Sequence, residues 1–274
     1  MQSLSAFFRR LPDFRGKFRI ANYLLQHSLN KKEPVEFIGK NKISYTLPNT
    51  MDHIGKELFI KGIYETETIN IIKKLLHKRT VFFDVGANIG AISVPVSKFF
   101  SGEIHVFEPS RSIFKFLEIN VVNNGIKNIL LNNTAVHSAD GNEIDFFSVD
   151  ENYGGSSLAQ TYSDQPHYRV KTVSIDAYCK RNNISRIDVL KIDVQGFEIE
   201  VLKGCQSLLK NKAIDNIIFE FEIWAERNAR FPVGAAQDFL LSMGYEIFTF
   251  KNKKIEKVIN TGYRMLWAKC KATD

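Results

Sequence analysis

Two short stretches carry side chains whose types and spacing can do chemistry. The first is Val81-Phe82-Phe83-Asp84-Val85-Gly86-Ala87-Asn88-Ile89-Gly90, an apolar run closed by an acid and by two glycines four positions apart. It reads as a buried strand ending in a tight turn, with a helical pattern over 91–100 behind it. Gly86 permits the turn and Gly90 lets the helix start lie close to strand and ligand, because neither carries a Cβ. The second stretch is Leu190-Lys191-Ile192-Asp193-Val194-Gln195-Gly196-Phe197-Glu198. Lys191 and Asp193, two apart on one strand, point to the same side at the carboxyl edge of a sheet, where α/β proteins bind ligands. Glu220 and Glu222 repeat that spacing at the end of the next strand.

The first turn selects among ligands. It lacks the Gly-x-Gly-x-x-Gly spacing of a dinucleotide fingerprint. A pyrophosphate wants bare backbone amides and no nearby carboxylate. Asp84, two residues ahead of Gly86, therefore favours a ligand carrying an amine or a sulfonium, and S-adenosylmethionine is such a ligand. The next strand ends at Phe107-Glu108-Pro109, and Glu108, 24 positions beyond Asp84, stands where an acid accepts both hydroxyls of an adenosine ribose. The other reading of Glu108 is a carboxylate on the dipole of the helix starting near Ser110. The ribose role is preferred because of the turn beside it. Asn132-Asn133-Thr134 ends the third strand, which puts Asn133 and its neighbours where an adenine edge would lie.

Transfer of a methyl group to a hydroxyl needs the acceptor held in line and its proton removed as attack proceeds. Asp193, Lys191 and Glu220, in that order, are the candidates for this work. The competing reading is a structural ion pair of Lys191 with Asp193 or Glu220, since buried charges need partners. Glu198 divides evenly between a structural and a functional role. Asp193 with a neighbouring acid also offers oxygen ligands suited to magnesium or calcium, but the chemistry does not demand a divalent metal and no metal ligand is assigned. His105, inside a strand, reads as a core residue. His137 and His167 lie near a polar loop and are secondary candidates for a base. Ser156 with His137 lacks a Gly-x-Ser-x-Gly elbow.

The elements that position these residues alternate along the chain. A basic amphipathic segment over 1–30, interrupted by Pro12, fits a helical cap in which Phe14, Phe18 and Ile20 pack onto the core; peripheral contact with a membrane surface is the alternative. Short strands over 36–47 flank a turn at 39–42, and a helix is expected over 65–77. Strand 103–107, helix 110–123 and strand 128–131 continue a right-handed parallel sheet. A strand pair, 143–149 and 168–173, encloses the polar loop 150–167, where substrate contacts are expected. Helix 174–181, strand 187–192, a helix from Phe197, strand 214–221 and helix 232–243 follow. Strands 245–250 and 264–269, joined by a Lys-rich loop without a crossover helix, close the chain as an antiparallel hairpin. The expected fold is thus an α/β, three-layer, Rossmann-like sheet over 61–274, mostly parallel with an antiparallel last strand, preceded by a helical and strand extension over 1–60.

Composition narrows the classes. A chain of 274 residues, 44% hydrophobic and 24% charged, matches one large soluble domain with an appendage. The net charge of +7 comes from scattered lysines without the aromatic interleaving of a nucleic-acid groove, so no nucleic-acid partner is expected. The three cysteines, Cys179, Cys205 and Cys270, form no CxxC and no even-numbered framework, which fits a reducing cytoplasm. No run approaches the roughly 20 apolar residues of a membrane span, and no signal-peptide pattern opens the chain.

The motifs taken together resemble the FkbM family of S-adenosylmethionine-dependent methyltransferases. The resemblance rests on the two stretches above, on Val106-Phe107-Glu108-Pro109, and on Val173-Ser174-Ile175-Asp176, with Gly62-Ile63-Tyr64-Glu65 and Val201-Leu202-Lys203-Gly204 also similar. It implies a class I methyltransferase fold, a seven-stranded sheet with its last strand antiparallel, and O-methylation of hydroxyls on sugars or polyketide-like metabolites. Asp84, Gly86, Asn88 and Gly90 would cradle the methionine part and Glu108 the ribose, with Glu65, Asn133 and Asp193 as further cofactor contacts. Gln195 stands where the family often has Glu, which argues against an essential base there. The function expected is an O-methyltransferase acting on a saccharide or other hydroxylated metabolite. The alternatives are an N-methyltransferase of the same fold, a non-catalytic nucleotide-binding protein, and a nicotinamide oxidoreductase.

Overall fold

The computed structural model describes residues 2–12, 14–26, 29–77, 80–148, 153–160, 164–255 and 264–270. Position 149, the loop segments 150–152 and 161–163, and 256–263 of the Lys-rich loop lie outside them. The chain opens with helices α1 (Gln2–Arg10) and α2 (Lys17–Leu24) and a hairpin of β1 (Val35–Ile38) and β2 (Ser44–Leu47). Helix α3 (His53–Lys61) starts on Asp52, whose carboxylate accepts from the amides of Ile54 at 2.7 Å and Gly55 at 3.3 Å, satisfying two donors the helix leaves unpaired. No clear apolar period announces this helix in the sequence, because Gly55 and Lys56 interrupt the stripe completed by Leu58, Phe59 and Ile60. Helix α4 (Thr66–Leu75) then delivers the chain to the large sheet.

The remaining elements are β3 (Val81–Val85), α5 (Ser93–Ser97), β4 (Glu103–Phe107), α6 (Arg111–Asn123), β5 (Ile129–Asn132), β6 (Ala135–Val136), β7 (Glu143–Phe147), β8 (His167–Val173), α7 (Ile175–Arg181), β9 (Ile187–Ile192), α8 (Glu198–Lys203), α9 (Gln206–Lys210), β10 (Ile214–Glu220), α10 (Ile223–Asn228), α11 (Ala235–Ser242), β11 (Tyr245–Thr249), β12 (Lys254–Ile255) and β13 (Met265–Cys270). The helix expected over 91–100 shortens to α5, where Pro95 and the β-branched Val94 and Val96 are poor helix formers.

Among the described residues, eight strands form one sheet in the order β12-β11-β13-β10-β9-β3-β4-β5. Strands β5, β4, β3, β9 and β10 are parallel, while β13 lies antiparallel between β10 and β11. The two-residue β12 adds an edge strand to the seven expected. The strand order reverses between β3 and β9, which makes the gap above their carboxyl ends the topological switch point.

Both faces of the sheet are covered, which is why β3 reads as a continuous apolar run. Phe82 and Phe83 are fully buried on opposite faces, each burial contributing about 2–3 kcal/mol. The Phe82 face is closed by the N-terminal extension together with α5 and α6, through Phe8, Leu25, Leu58, Val94 and Leu117. Within the extension, α2 turns Lys17, Ala21 and Leu25 inward at helical spacing. Ile20, expected to pack on the core, is instead 48% exposed, because the inward face of α2 is set by Ala21 and Leu25; Phe14, likewise expected there, lies ahead of α2 and is also 48% exposed.

A smaller sheet, β6-β8-β7, is inserted between β5 and α7. Its own apolar cluster, Ala135, Phe146 and Val170, anchors the loop after β7, and Phe147 bridges to Ser157. This insertion carries the expected substrate loop over the switch point.

Candidate active site

The carboxyl ends of β3, β4 and β9 open into a cleft at the switch point. Gly86, Asn88, Glu108, Asp193, Gln195 and Arg264 contribute to its wall. The opposite wall comes from the extension, through Ile54, and from the inserted loop, through Tyr153 and Ser157. Asp52 ties these two together: besides capping α3, it accepts from the Gly154 amide at 3.1 Å.

The turn after β3 uses its own amides. Gly86 and Ala87 both donate to the Phe107 carbonyl at 3.0 Å, Asn88 donates to Glu108 Oε2 at 2.9 Å, Ile89 to Asn88 Oδ1 at 2.9 Å, and Gly90 to the Ala87 carbonyl at 2.9 Å. A pyrophosphate would find no bare donor here. The conformation depends on glycine at Gly86, where φ is +78° and an added Cβ would lie 1.8 Å from the Asp193 carbonyl oxygen. The two stretches singled out from the sequence therefore touch backbone to backbone.

Asp84 and Lys191 are direct partners in the parallel register of β3 and β9, so their side chains project to the same face. Asp84 is fully buried, receives a hydrogen bond from Ser93 Oγ, and has Oδ1 3.1 Å from Lys191 Nζ. Lys191 Nζ also donates to the Gly86 carbonyl at 3.1 Å and lies 3.6 Å from Asp193 Oδ2. Burial opposes the lysine charge, but Asp84, Asp193 and Glu65 outweigh it and raise its pKa above the ordinary lysine value. This corrects the assignment of Lys191 as a proton acceptor: an ammonium held protonated among carboxylates positions Asp193 and the Gly86 turn instead. Asp84 likewise acts beneath the turn and does not line the cleft. Breaking a buried pair leaves an uncompensated charge, so Lys191→Met is expected to destabilise the fold by about 3 kcal/mol, measured by urea unfolding. A loss below about 0.5 kcal/mol would show the pair to be energetically neutral.

Of the Lys191 partners, Asp193 is the carboxylate that lines the cleft. Burial works against its charge, yet Lys191 and Arg264 hold its pKa below the ordinary aspartate value. Gln195, in the left-handed region at φ 55°, donates to Asp193 Oδ1 at 3.2 Å and to Glu220 Oε2 at 2.8 Å. Arg264 Nε donates to Glu220 Oε1 at 2.5 Å and lies 4.0 Å from Glu222 Oε1. Glu220, 3% exposed, sits behind Gln195 and Arg264 and does not line the cleft. Burial, reinforced by Asp193, pushes its pKa well up.

Glu108 accepts from the amides of Asn88 at 2.9 Å and Ser110 at 2.8 Å, and burial raises its pKa to about 7. Both readings of this residue thus coexist: it meets the start of α6 and also lines the cleft. Glu198 accepts from the amides of Val194 at 3.1 Å and Gly196 at 3.2 Å, bracing the turn after β9 from outside the cleft. Asn133 is exposed and donates to the carbonyls of Glu108 at 2.8 Å and Pro109 at 3.3 Å, while Thr134 takes the place in the wall expected of it. Glu65, at a left-handed φ of 42°, accepts from Thr68 Oγ1 at 2.9 Å and lines a neighbouring groove.

His105 is a core residue, with Nδ1 2.9 Å from the Tyr178 hydroxyl. His137 lies 3.7 Å from Glu200, and neither it nor His167 lines the cleft. Among the described residues, no group of three histidine, cysteine or acidic side chains could hold a metal ion, and no helix is long and apolar enough to cross a membrane. Arg264 is the cleft residue the sequence conceals. Its only signal there is a lone arginine ahead of the last strand. The antiparallel pairing of β13 with β10, with Met265 opposite Glu220, brings it to the acids.

A largely parallel, doubly wound sheet with one antiparallel strand inserted near its end, and a cleft at the switch point edged by an acid on the second strand, is the class I Rossmann-like methyltransferase architecture. The methyltransferase FkbM domain matches residues 84–247, and the chain belongs to that family of S-adenosylmethionine-dependent methyltransferases. A relative, the hexuronic acid methyltransferase AglP of Haloferax volcanii, is 24% identical over 147 residues, which is 54% of this chain and 59% of the relative. The match thus spans less than two thirds of that protein's length. Among solved structures, the precorrin-6y C5,15-methyltransferase of Geobacter metallireducens matches 76% of this chain and 87% of its own at 14% identity, with a TM-score of 0.42. A TehB-like S-adenosylmethionine-dependent methyltransferase of Corynebacterium glutamicum matches 79% of this chain and 94% of its own at 12% identity, with a TM-score of 0.45.

Proposed function

We propose that this protein methylates a hydroxyl of a saccharide or other hydroxylated metabolite. The observation that carries the reading is a turn with no donor left for a phosphate, set between two carboxylates that line the same cleft, Glu108 and Asp193. Among the described residues, two carboxylates, Glu108 and Asp193, line the cleft against one cation, Arg264, which suits a ligand of positive charge. S-adenosylmethionine, when bound, supplies an electrophilic methyl group on a sulfonium sulfur and is left as a neutral thioether. The residues fit it: Gly86, without a Cβ, and Asn88 would hold the methionine part, and Glu108 the ribose hydroxyls.

Asp193 faces the cleft as an ionised carboxylate, fixed by Gln195 and paired with Lys191. It orients the acceptor hydroxyl and takes its proton. With its pKa held low, Asp193 is a weak base, so the proton moves as the new oxygen–carbon bond forms rather than before. The proton then passes to solvent, leaving a methyl ether. The relative named a hexuronic acid methyltransferase supports a sugar acceptor. An amine acceptor would need less of this base.

Calorimetry tests the cofactor. S-adenosylmethionine and S-adenosylhomocysteine are expected to bind and NAD not; binding of NAD alone would overturn the reading. Glu108→Ala removes charge-assisted acceptors and is expected to weaken S-adenosylmethionine about thirtyfold, or about 2 kcal/mol. The same carboxylate sets a pH dependence. Ionised Glu108 accepts ribose hydroxyls on both oxygens, and protonation removes an acceptor. With a pKa of about 7, its ionised fraction falls about tenfold between pH 8 and pH 6. Affinity is therefore expected to weaken about tenfold over that window. A pH-independent affinity would place the ribose elsewhere. Glu198→Gln is the control, because Glu198 titrates near the same pH but outside the cleft.

A further inference from the structure

A second cavity, about 580 Å³, adjoins the cleft between the start of α2, the end of α3, the start of α4 and the strand ends at Phe250 and Met265. That volume lies within the roughly 300–1,000 Å³ usual for a small-molecule pocket, room enough for a ligand of a few rings. Arg264 lines both spaces and forms the partition between them. Glu65 lines the second, close enough to Asp193 and Lys191 for its carboxyl to feel both charges. The groove therefore ends at the corner where the acceptor hydroxyl has to meet Asp193. Glu65 holds that corner in a backbone conformation non-glycine residues rarely adopt, a strain that concentrates at functional sites.

The lining chemistry identifies the ligand. Three aromatic rings, Phe14, Phe18 and Phe250, share the wall with side chains of both signs, Arg15, Lys61 and Glu67 among them. A polyanion would call for one sign of charge, and a lipid chain for an unbroken apolar wall. Aromatic rings beside mixed donors and acceptors match a polyhydroxylated chain. The C–H faces of its rings pack on the aromatics, and its hydroxyls donate to carboxylates and accept from guanidinium or ammonium groups. The exposure of Phe14, unexplained by core packing, is accounted for by such a ligand.

We propose that this groove is the acceptor subsite, and that it holds the sugar units flanking the hydroxyl to be methylated. The inference rests on the saccharide reading of the function. It also gives the N-terminal extension a role: residues 14–18 form one wall of the substrate site.

The test uses the full chain saturated with S-adenosylhomocysteine and a panel of neutral and uronic-acid-containing oligosaccharides, with binding read by saturation-transfer NMR. Phe14→Ala combined with Arg15→Ala is expected to weaken oligosaccharide binding at least about tenfold. Thr66→Trp, which fills the groove from an exposed position, is expected to abolish it. Calorimetric affinity for S-adenosylhomocysteine should stay within about twofold in every variant, which also reports an intact fold. Oligosaccharide binding that survives all these changes overturns the groove assignment and leaves the methyltransferase reading standing. A wild-type chain that binds S-adenosylhomocysteine but no saccharide of the panel overturns the saccharide acceptor and the groove assignment with it.

Discussion

Asp193→Asn is expected to lower kcat about a thousandfold, while S-adenosylmethionine affinity weakens no more than about fivefold. Asparagine keeps the size of the side chain and an oxygen for Gln195, so geometry is conserved. What disappears is the negative charge that faces Lys191 and Arg264 and takes the acceptor proton. General base catalysis contributes about a hundred- to ten-thousandfold, which sets the scale. The wild-type pH profile adds a second readout. Lys191 and Arg264 keep Asp193 ionised well below pH 7, whereas Glu108 titrates at about 7. On the acid side, kcat/KM for S-adenosylmethionine should therefore fall below pH 7 while kcat at saturating cofactor holds. If Asp193→Asn retains kcat within tenfold of wild type, the proton leaves directly to water and Asp193 only positions the acceptor.

The second large effect lies at Gly86. Gly86→Ala is expected to cost about 4 kcal/mol of stability and to abolish measurable S-adenosylmethionine binding. About 1 kcal/mol comes from a left-handed φ that alanine resists. The larger part comes from a methyl group directed at the Asp193 carbonyl oxygen, where backbone has to move. The affected contact joins the two halves of the site, so strain and lost binding should appear together. Urea unfolding and calorimetry on the same sample measure both. A variant of wild-type stability would show that the turns after β3 and β9 yield to a methyl group without strain. Gly125→Ala is a suitable comparison, since it has a similar φ of +62° but nothing within 4 Å of an added Cβ. Only the conformational part of the loss is expected there.

Much of the fold was legible because its signals are local. The apolar run Val81-Phe82-Phe83, buried on both faces, and the Asp-Gly turn behind it announce a central parallel strand within a few residues. The alternation of strands and helices through 103–192 follows from the same kind of short-range pattern. Glu108 was readable in the same way, from an acid at a strand end at a fixed distance past the turn. Helix α3 was not, because its burial depends on the extension folding over α1 and β3 and not on its own periodicity. The outward turn of Phe14 and Ile20 was hidden for the same reason.

Sequence alone determined which residue types meet at the carboxyl edge: the Asp84 turn, Glu108, and the Lys191-Asp193 pair, since side-chain alternation in a strand depends only on neighbours. Tertiary structure decided what each of them does. The register of β3 against β9 puts Asp84 and Lys191 side by side under the turn, which makes them its foundation and leaves Asp193, with Glu108, facing the cleft. The insertion of β13 beside β10 brings Arg264 to Glu220 from 44 positions away and makes it the partition between two cavities. Strand order and register are long-range choices, set by how two covered sheet faces and an N-terminal extension pack together, and a local pattern does not encode them.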